Sequence, residues 1–337
     1  MKDNKLEDFV KKRNNSKFLF TVGPASLVTE NILGLAPCFG RNDPQYLKVE
    51  EKVLKQLKNI SGHKKIVRMQ GSGSFALEVV SLNFLHGKVL IVSTGYYSDR
   101  LFNLCIKAKK NFGKITKISK VNWRELEDFS AKYDWVWACP TETSYGLKIP
   151  ITVLKKFSKK IKAKLALDAT ASFGLESFHE LGDVISYSSC KGLFGLTGGC
   201  FISYNADPQN AVNSFNLDIN SHIEKKMTGP YHSIQSLEKV LDKHENFRHS
   251  VIVNKKRFLK RFEDKLIYNI KNQPLICTYV DCKLESKDRR VIFYKPRINL
   301  SGSVISHLGE AHLAKLATGK ILEKIYIKKY EKKKKKN

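Results

Sequence analysis

The chain has 337 residues, 42% of them hydrophobic, and its 60 Lys and Arg against 32 Asp and Glu give a formal net charge of +28. That is enough apolar material for one large domain and a smaller one. No apolar run reaches the roughly 20 residues of a membrane helix, and the charged start "MKDNKLEDFVKKRNN" lacks a secretory apolar stretch, so a soluble, cytoplasmic protein is expected.

The seven cysteines are scattered, odd in number and without a C-x-x-C pair. This argues against a disulfide framework or a zinc site, and no metal is expected. The lysines are dispersed, as in "LKKFSKKIKAK", apart from the tail "KKYEKKKKKN". Dispersed lysine reads as solvated helix surface rather than a nucleic-acid face, although a positive field speeds the arrival of small anions.

In chain order, an N-terminal arm (1–17) leads into helical spacing in "QYLKVEEKVLKQLKNI", then a short apolar strand, "KIVRM". The strand ends in "MQGSGSFALEVV", where Gly71-Ser72-Gly73-Ser74 opens an amphipathic helix. Glycines allow close backbone approach, and a helix N-terminus offers free N–H groups to an anion such as phosphate. Read alone, the stretch describes a tight turn with a serine N-cap equally well.

The strand "KVLIVS" and the helical "SDRLFNLCIKAKKNF" follow, then a predicted helix in "WRELEDFSAKY" and the strand "DWVWAC". At the end of that strand Thr141, Glu142, Thr143 and Ser144 cluster in "CPTETSYG". Such hydroxyls bind a ligand or merely satisfy loop backbone. In "PITVLKKFSKKI", Ile151, Leu154, Phe157 and Ile161 share one helix face. Asp168 ends the next strand, "KLALDA", where a parallel sheet forms its ligand crevice; the bland reading is an Asp capping a turn.

Between the strand "DVISYS" and a sixth strand, "GCFISY", lies "SYSSCKGLFGLTGGCFIS", which overlaps both and holds one lysine, Lys191, with no second charge nearby. Burial would favour its neutral amine, a nucleophile toward carbonyl carbon; the competing reading is a lysine that snorkels from a glycine-rich loop. Gly192, next in the chain, would leave room around the amine.

Strand–helix alternation to about residue 205 predicts an α/β fold: a three-layer large domain (18–240) with a mostly parallel sheet. Beyond it, "SIQSLEKVLDKHENFRHSVIVNKKRFLKRFEDKL" reads as one long helical stretch. Strand candidates follow in "LICTYVDC", "RVIFYK" and "RINLS", then a last helix at about 307–320. These make a smaller α+β domain (241–327) before a disordered basic tail (328–337).

A phosphate loop, a hydroxyl cluster, an aspartate and an isolated lysine, in that order, are what pyridoxal phosphate requires. At these residues the chain resembles the class V branch of fold type I pyridoxal-phosphate aminotransferases, and within it the 2-aminoethylphosphonate–pyruvate aminotransferase group. The likeness runs from "FTVGPASLVTENIL" to "MTGPYHSIQSLEKVL" and is weaker through "PRINLSGSVISHLGE". Its most specific segment is "QGSGSFALE"; "ETSYG", "LDATASFG" and the lysine after "YSSC" match in order.

The resemblance implies that Ser72, Gly73 and Ser74 hold the cofactor phosphate and that Tyr97, in "STGYYSDR", covers the cofactor ring. It further implies Thr143 at the ring hydroxyl, Asp168 at the pyridine nitrogen and Lys191 at the aldehyde. Thr228 or Ser233, in "TGPYHS", would reach a neighbouring subunit's phosphate in a homodimer, and Arg297, in "KPRINLSG", would pair with a substrate carboxylate. Three departures bear on the amino donor rather than the cofactor: "CFGRNDPQY" where the phosphonate enzymes are rich in Trp and Asp, Pro140 in place of a His, and a short stretch between Pro274 and Arg297.

The implied activity is transfer of an amino group from a small anionic amine to a keto acid such as pyruvate. A serine/alanine–glyoxylate type donor and a lyase on the same scaffold are the enzyme alternatives. A basic anion- or nucleic-acid-binding protein that keeps the fold is the non-enzyme one.

Overall fold

A computed structural model describes residues 5–6, 8–9, 12–13, 17–35, 40, 42–308 and 321–328. Its centre is a seven-stranded sheet made of β1 (Lys65–Gln70), β2 (Gly87–Ser93), β3 (Ile115–Asn122), β4 (Trp135–Ala138), β5 (Lys164–Asp168), β6 (Val184–Ser188) and β7 (Gly199–Tyr204). The order across the sheet is β1-β7-β6-β5-β4-β2-β3. Only β7 runs against its neighbours, so β1 through β6 all point the same way.

The strands bury both faces by period-two alternation. Leu90, Val92, Val136, Leu165, Leu167 and Ile185 face one core, and Val89, Ile91, Trp135, Trp137, Ala166 and Val184 face the other. The first core is covered by α1 (Pro44–Ser61), α4 (Ile151–Lys160) and α5 (Tyr231–Leu241). The second is covered by α2 (Gly73–Asn83) and α3 (Tyr96–Phe112). Local chemistry sets the helix ends. Asp43 accepts from the N–H of Gln45 at 2.8 Å with Pro44 in the first turn, and Gly62 closes α1 at φ 67°. In α4, Ile151, Leu154 and Phe157 are buried as their spacing requires.

The six strands read from the sequence are present, and β3 is an addition. It carries Lys117 and Lys120 on an edge strand where Thr116, Lys117, Lys120 and Asn122 are exposed, so it lacks an apolar run. "WRELEDFSAKY" is not a helix. The Asn122 side chain accepts from Arg124 N at 3.0 Å and its carbonyl from Glu125 N at 2.9 Å, which folds the segment into turns. The long helical stretch is two helices, α5 and α6 (His244–Phe262), broken at Asp242-Lys243.

"RINLS" is irregular; the strand forms later, at Ser303–Ser306, antiparallel to Cys277–Val280. Leu284–Ser286 pairs with Ile325–Ile327, and Phe18–Phe20 runs parallel to Val291–Phe293 with Phe20 stacked on Phe293 at 5.9 Å. His307 and Leu308 are not helical, and the rest of the expected last helix lies outside the described residues, as do Cys38 and residues 329–337 of the tail. The six described cysteines are free thiols. Among the described residues, no helix is long and apolar enough to cross a membrane.

Candidate active site

The C-terminal ends of β1, β2, β4, β5 and β6 converge on one cavity of about 390 Å³. Ser72, Gly73, Ser74, Tyr97, Thr143, Asp168, Lys191 and Arg297 all line it. A parallel sheet produces such a crevice because each strand delivers its last residue and the following loop to the same edge.

After β1 the chain turns through Ser72, whose hydroxyl accepts from Phe75 N at 3.4 Å and caps α2. A Cβ on Gly73 would lie 2.9 Å from Thr170 Cγ2 and 3.0 Å from its Oγ1. The start of α2 is thus laid against Thr170, with its first N–H groups free of intrahelical acceptors.

Tyr97 is held by a residue that does not itself line the cavity. The buried Glu142 carboxylate accepts from the N–H groups of Tyr97 at 2.9 Å and Ser98 at 3.3 Å, at the positive end of α3. Desolvation pushes the Glu142 carboxyl above the usual carboxylate range against these bonds and the Ser144 hydroxyl. Part of the "TETS" cluster is therefore scaffold, and part faces the cavity. Thr141 and Thr143 are each 1% exposed. The Thr141 and Thr170 hydroxyls have no hydrogen-bond partner, and Thr143 has only the Tyr294 phenol close by. Unpaired buried hydroxyls are costly unless a ligand satisfies them.

Asp168 is 4% exposed, and its Oδ1 accepts from Thr170 N at 3.0 Å. Lys191 lies on the loop after β6 and is half-buried rather than enclosed, its amine opening into the cavity. Its stem runs along Gly23, where a Cβ would come 3.1 Å from Cγ and Cε, and its Nζ stands 5.9 Å from the Tyr97 ring centroid. Gly192 has a packing constraint of its own. A Cβ there would sit 2.2 Å from Phe173 O, while the Gly192 carbonyl meets His244 Nε2 at 2.8 Å. The glycine is needed for packing beneath the loop.

Arg297 reaches the rim, where its NH1 donates to Tyr96 OH at 3.1 Å. Thr228 and Ser233 do not line the cavity of their own chain. Thr228 is exposed beside Gly229, which packs on the Arg68 guanidinium. The Ser233 hydroxyl donates to Thr197 O at 2.9 Å, so it braces the loop that follows Lys191.

Sequence reasoning missed Gly23, Pro24, Thr170 and Arg100, all of which line the cavity. Arg100 had a signal, since it stands in "STGYYSDR" beside the tyrosine singled out there. Three cations (Arg100, Lys191, Arg297) and one acid (Asp168) face the space, so it complements anions.

No family model matches the chain. A 2-aminoethylphosphonate–pyruvate transaminase of Pseudomonas putida is 28% identical over 173 residues, 48% of this chain and 46% of that protein. One of Pseudomonas aeruginosa is 25% identical over 253 residues, 67% of this chain and 68% of that protein. The chain spans about half the length of the first curated relatives it matches. The solved aspartate aminotransferase of subgroup IV from Thermus thermophilus superposes with a TM-score of 0.76 at 16% identity, covering 91% of this chain and 97% of its own. The chain therefore has the α/β fold of the fold type I aminotransferases, its crevice at the strand ends of a mostly parallel sheet.

Proposed function

We propose that this protein is a pyridoxal-phosphate-dependent aminotransferase that moves an amino group from a small anionic amine, 2-aminoethylphosphonate or a close analogue, to a keto acid such as pyruvate. The observation that carries this reading is that Lys191 and Asp168 open into one cavity with the start of α2. The cofactor fits the residues present. The unpaired hydroxyls of Thr141 and Thr170 call for a polar ligand, the bare Gly73 makes a cradle, and the cationic lining suits a phosphate ester. When bound, pyridoxal phosphate supplies an electron sink for carbanion chemistry.

The chain's own residues do the rest. Ser72, Gly73 and Ser74 hold the phosphate with N–H and hydroxyl donors. Asp168, anchored through Oδ1, would keep a proton on the pyridine nitrogen, and Tyr97 would cover the ring. Thr143 meets the ring hydroxyl. Lys191 would hold the aldehyde, and its amine is placed to move a proton at the substrate carbon as general base and general acid. Arg297, oriented by Tyr96, receives the carboxylate of the keto acid. Thr228 contributes from the second subunit of a homodimer; its exposure in the single chain is consistent with that role.

The relatives at 25–28% identity carry the donor part of the reading. The test adds pyridoxal phosphate to the protein and follows a yellow lysine-bound band that borohydride fixes. Lys191→Ala should stay colourless, and a still-yellow variant would refute the assignment. A donor screen that follows pyruvate conversion to alanine should then select 2-aminoethylphosphonate. Activity confined to serine or alanine with glyoxylate would replace the donor and leave the chemistry standing.

A further inference from the structure

We propose that Arg100 is a further residue for the cofactor phosphate, a role that rests on the cofactor reading above. Arg100 NH1 donates to Ser74 Oγ at 2.8 Å, and its guanidinium carbon stands 4.8 Å from the Tyr97 ring centroid. It forms no ion pair among the described residues, whereas its neighbour Asp99 is taken by Lys120 at 2.6 Å. Neutral partners alone orient the guanidinium, so its charge stays uncompensated on the cavity wall.

The position selects the ligand group. Ser74 belongs to the first turn of α2, where free N–H groups favour an anion. A hydroxyl that accepts from a guanidinium is polarised to donate its own proton, so Ser74 and Arg100 act on one phosphate as a chain of donors. Arg297 is bonded instead to the Tyr96 phenol at 3.1 Å, whose ring the Arg100 guanidinium also faces at 5.9 Å. Of the two, Arg100 alone hydrogen-bonds the first turn of α2 among the described residues, so it serves the phosphate end and leaves Arg297 for the substrate carboxylate.

The test titrates the full-length cofactor-free protein, without amino donor, with pyridoxal phosphate and separately with pyridoxal, which lacks the phosphate. Uptake is read from the absorbance of the lysine-bound aldehyde. Arg100→Ala should weaken pyridoxal phosphate binding roughly 10- to 100-fold, the range of a lost charge-assisted hydrogen bond. Pyridoxal affinity should stay within about 2-fold, since no charged contact is lost on that ligand. Arg100→Lys should recover part of the affinity, keeping the charge without the fork.

Equal loss for both ligands would overturn the proposal by making Arg100 a residue that shapes the pocket. So would unchanged pyridoxal phosphate affinity with a raised KM for the amino donor, which would move Arg100 to the substrate. Wild-type protein that takes up neither ligand would overturn the cofactor reading itself, and this proposal with it.

Discussion

The floor and the rim of the cavity are built by different means. The floor is made of strand ends: Asp168 closes β5 in register with Ser186 of β6, and Leu167, the residue before it, is 1% exposed in the core. The rim is made of irregular chain. Arg297 sits in a segment with no strand of its own and leans on Tyr96 through one hydrogen bond. Position on the floor is enforced by packing on both faces of a sheet; position on the rim depends on a few polar contacts in water. The floor is thus suited to hold a constant cofactor, and the rim is where substrate choice can change without cost to the fold.

Three experiments would break or sharpen this contrast. The largest effect is expected for Leu167→Ala, which should cost about 2–5 kcal/mol of unfolding free energy in urea titration, the range for a fully buried leucine. A loss under about 1 kcal/mol would mean the floor is not rigidly packed.

The second concerns His179, which is 2% exposed, bonded to the Ser172 hydroxyl at 2.9 Å and held neutral by burial, its pKa lowered to about 3. The folded protein keeps this ring neutral while the unfolded chain protonates it below about 6.5. The neutral ring's contribution is therefore complete above that pH and is lost as pH falls from about 6.5 toward 3. By pH 5 the loss is about 2 kcal/mol. His179→Gln should flatten the stability–pH curve between pH 7 and pH 5 by about that amount. His63, His244 and His307, also lowered by burial, leave a residual slope of the same sign. An unchanged slope would sink the argument.

The smallest effect on stability is expected for Arg297→Ala, within about 0.5 kcal/mol because the residue is exposed. On the proposed function, the same variant should raise the KM for the keto acid about 10-fold, through loss of the proposed carboxylate contact. A strongly destabilised variant would show that rim and floor are mechanically one unit.

Legibility follows the same division. Asp168 stood out because it ends a short apolar strand, and Lys191 because it is the one lysine in its stretch with no second charge nearby. Arg100 did not, because it is one of 60 basic residues and its one local mark is its place in "STGYYSDR" near Tyr97. The edge strand β3 was missed since its lysines interrupt the apolar pattern, and the packing constraint on Gly192 was not legible because it comes from the Phe173 carbonyl, outside its local stretch.

The sequence by itself determined the alternation of strands and helices and the residue types at the strand ends, because hydrophobic period and helix capping act over a few neighbours. Only the tertiary structure decided the order of the strands, the antiparallel insertion of β7 between β1 and β6, and the meeting of five strand ends with Gly23 and Arg297. Those depend on which apolar faces pair across long stretches of chain. Such pairing is a property of the whole core, and no local window contains it.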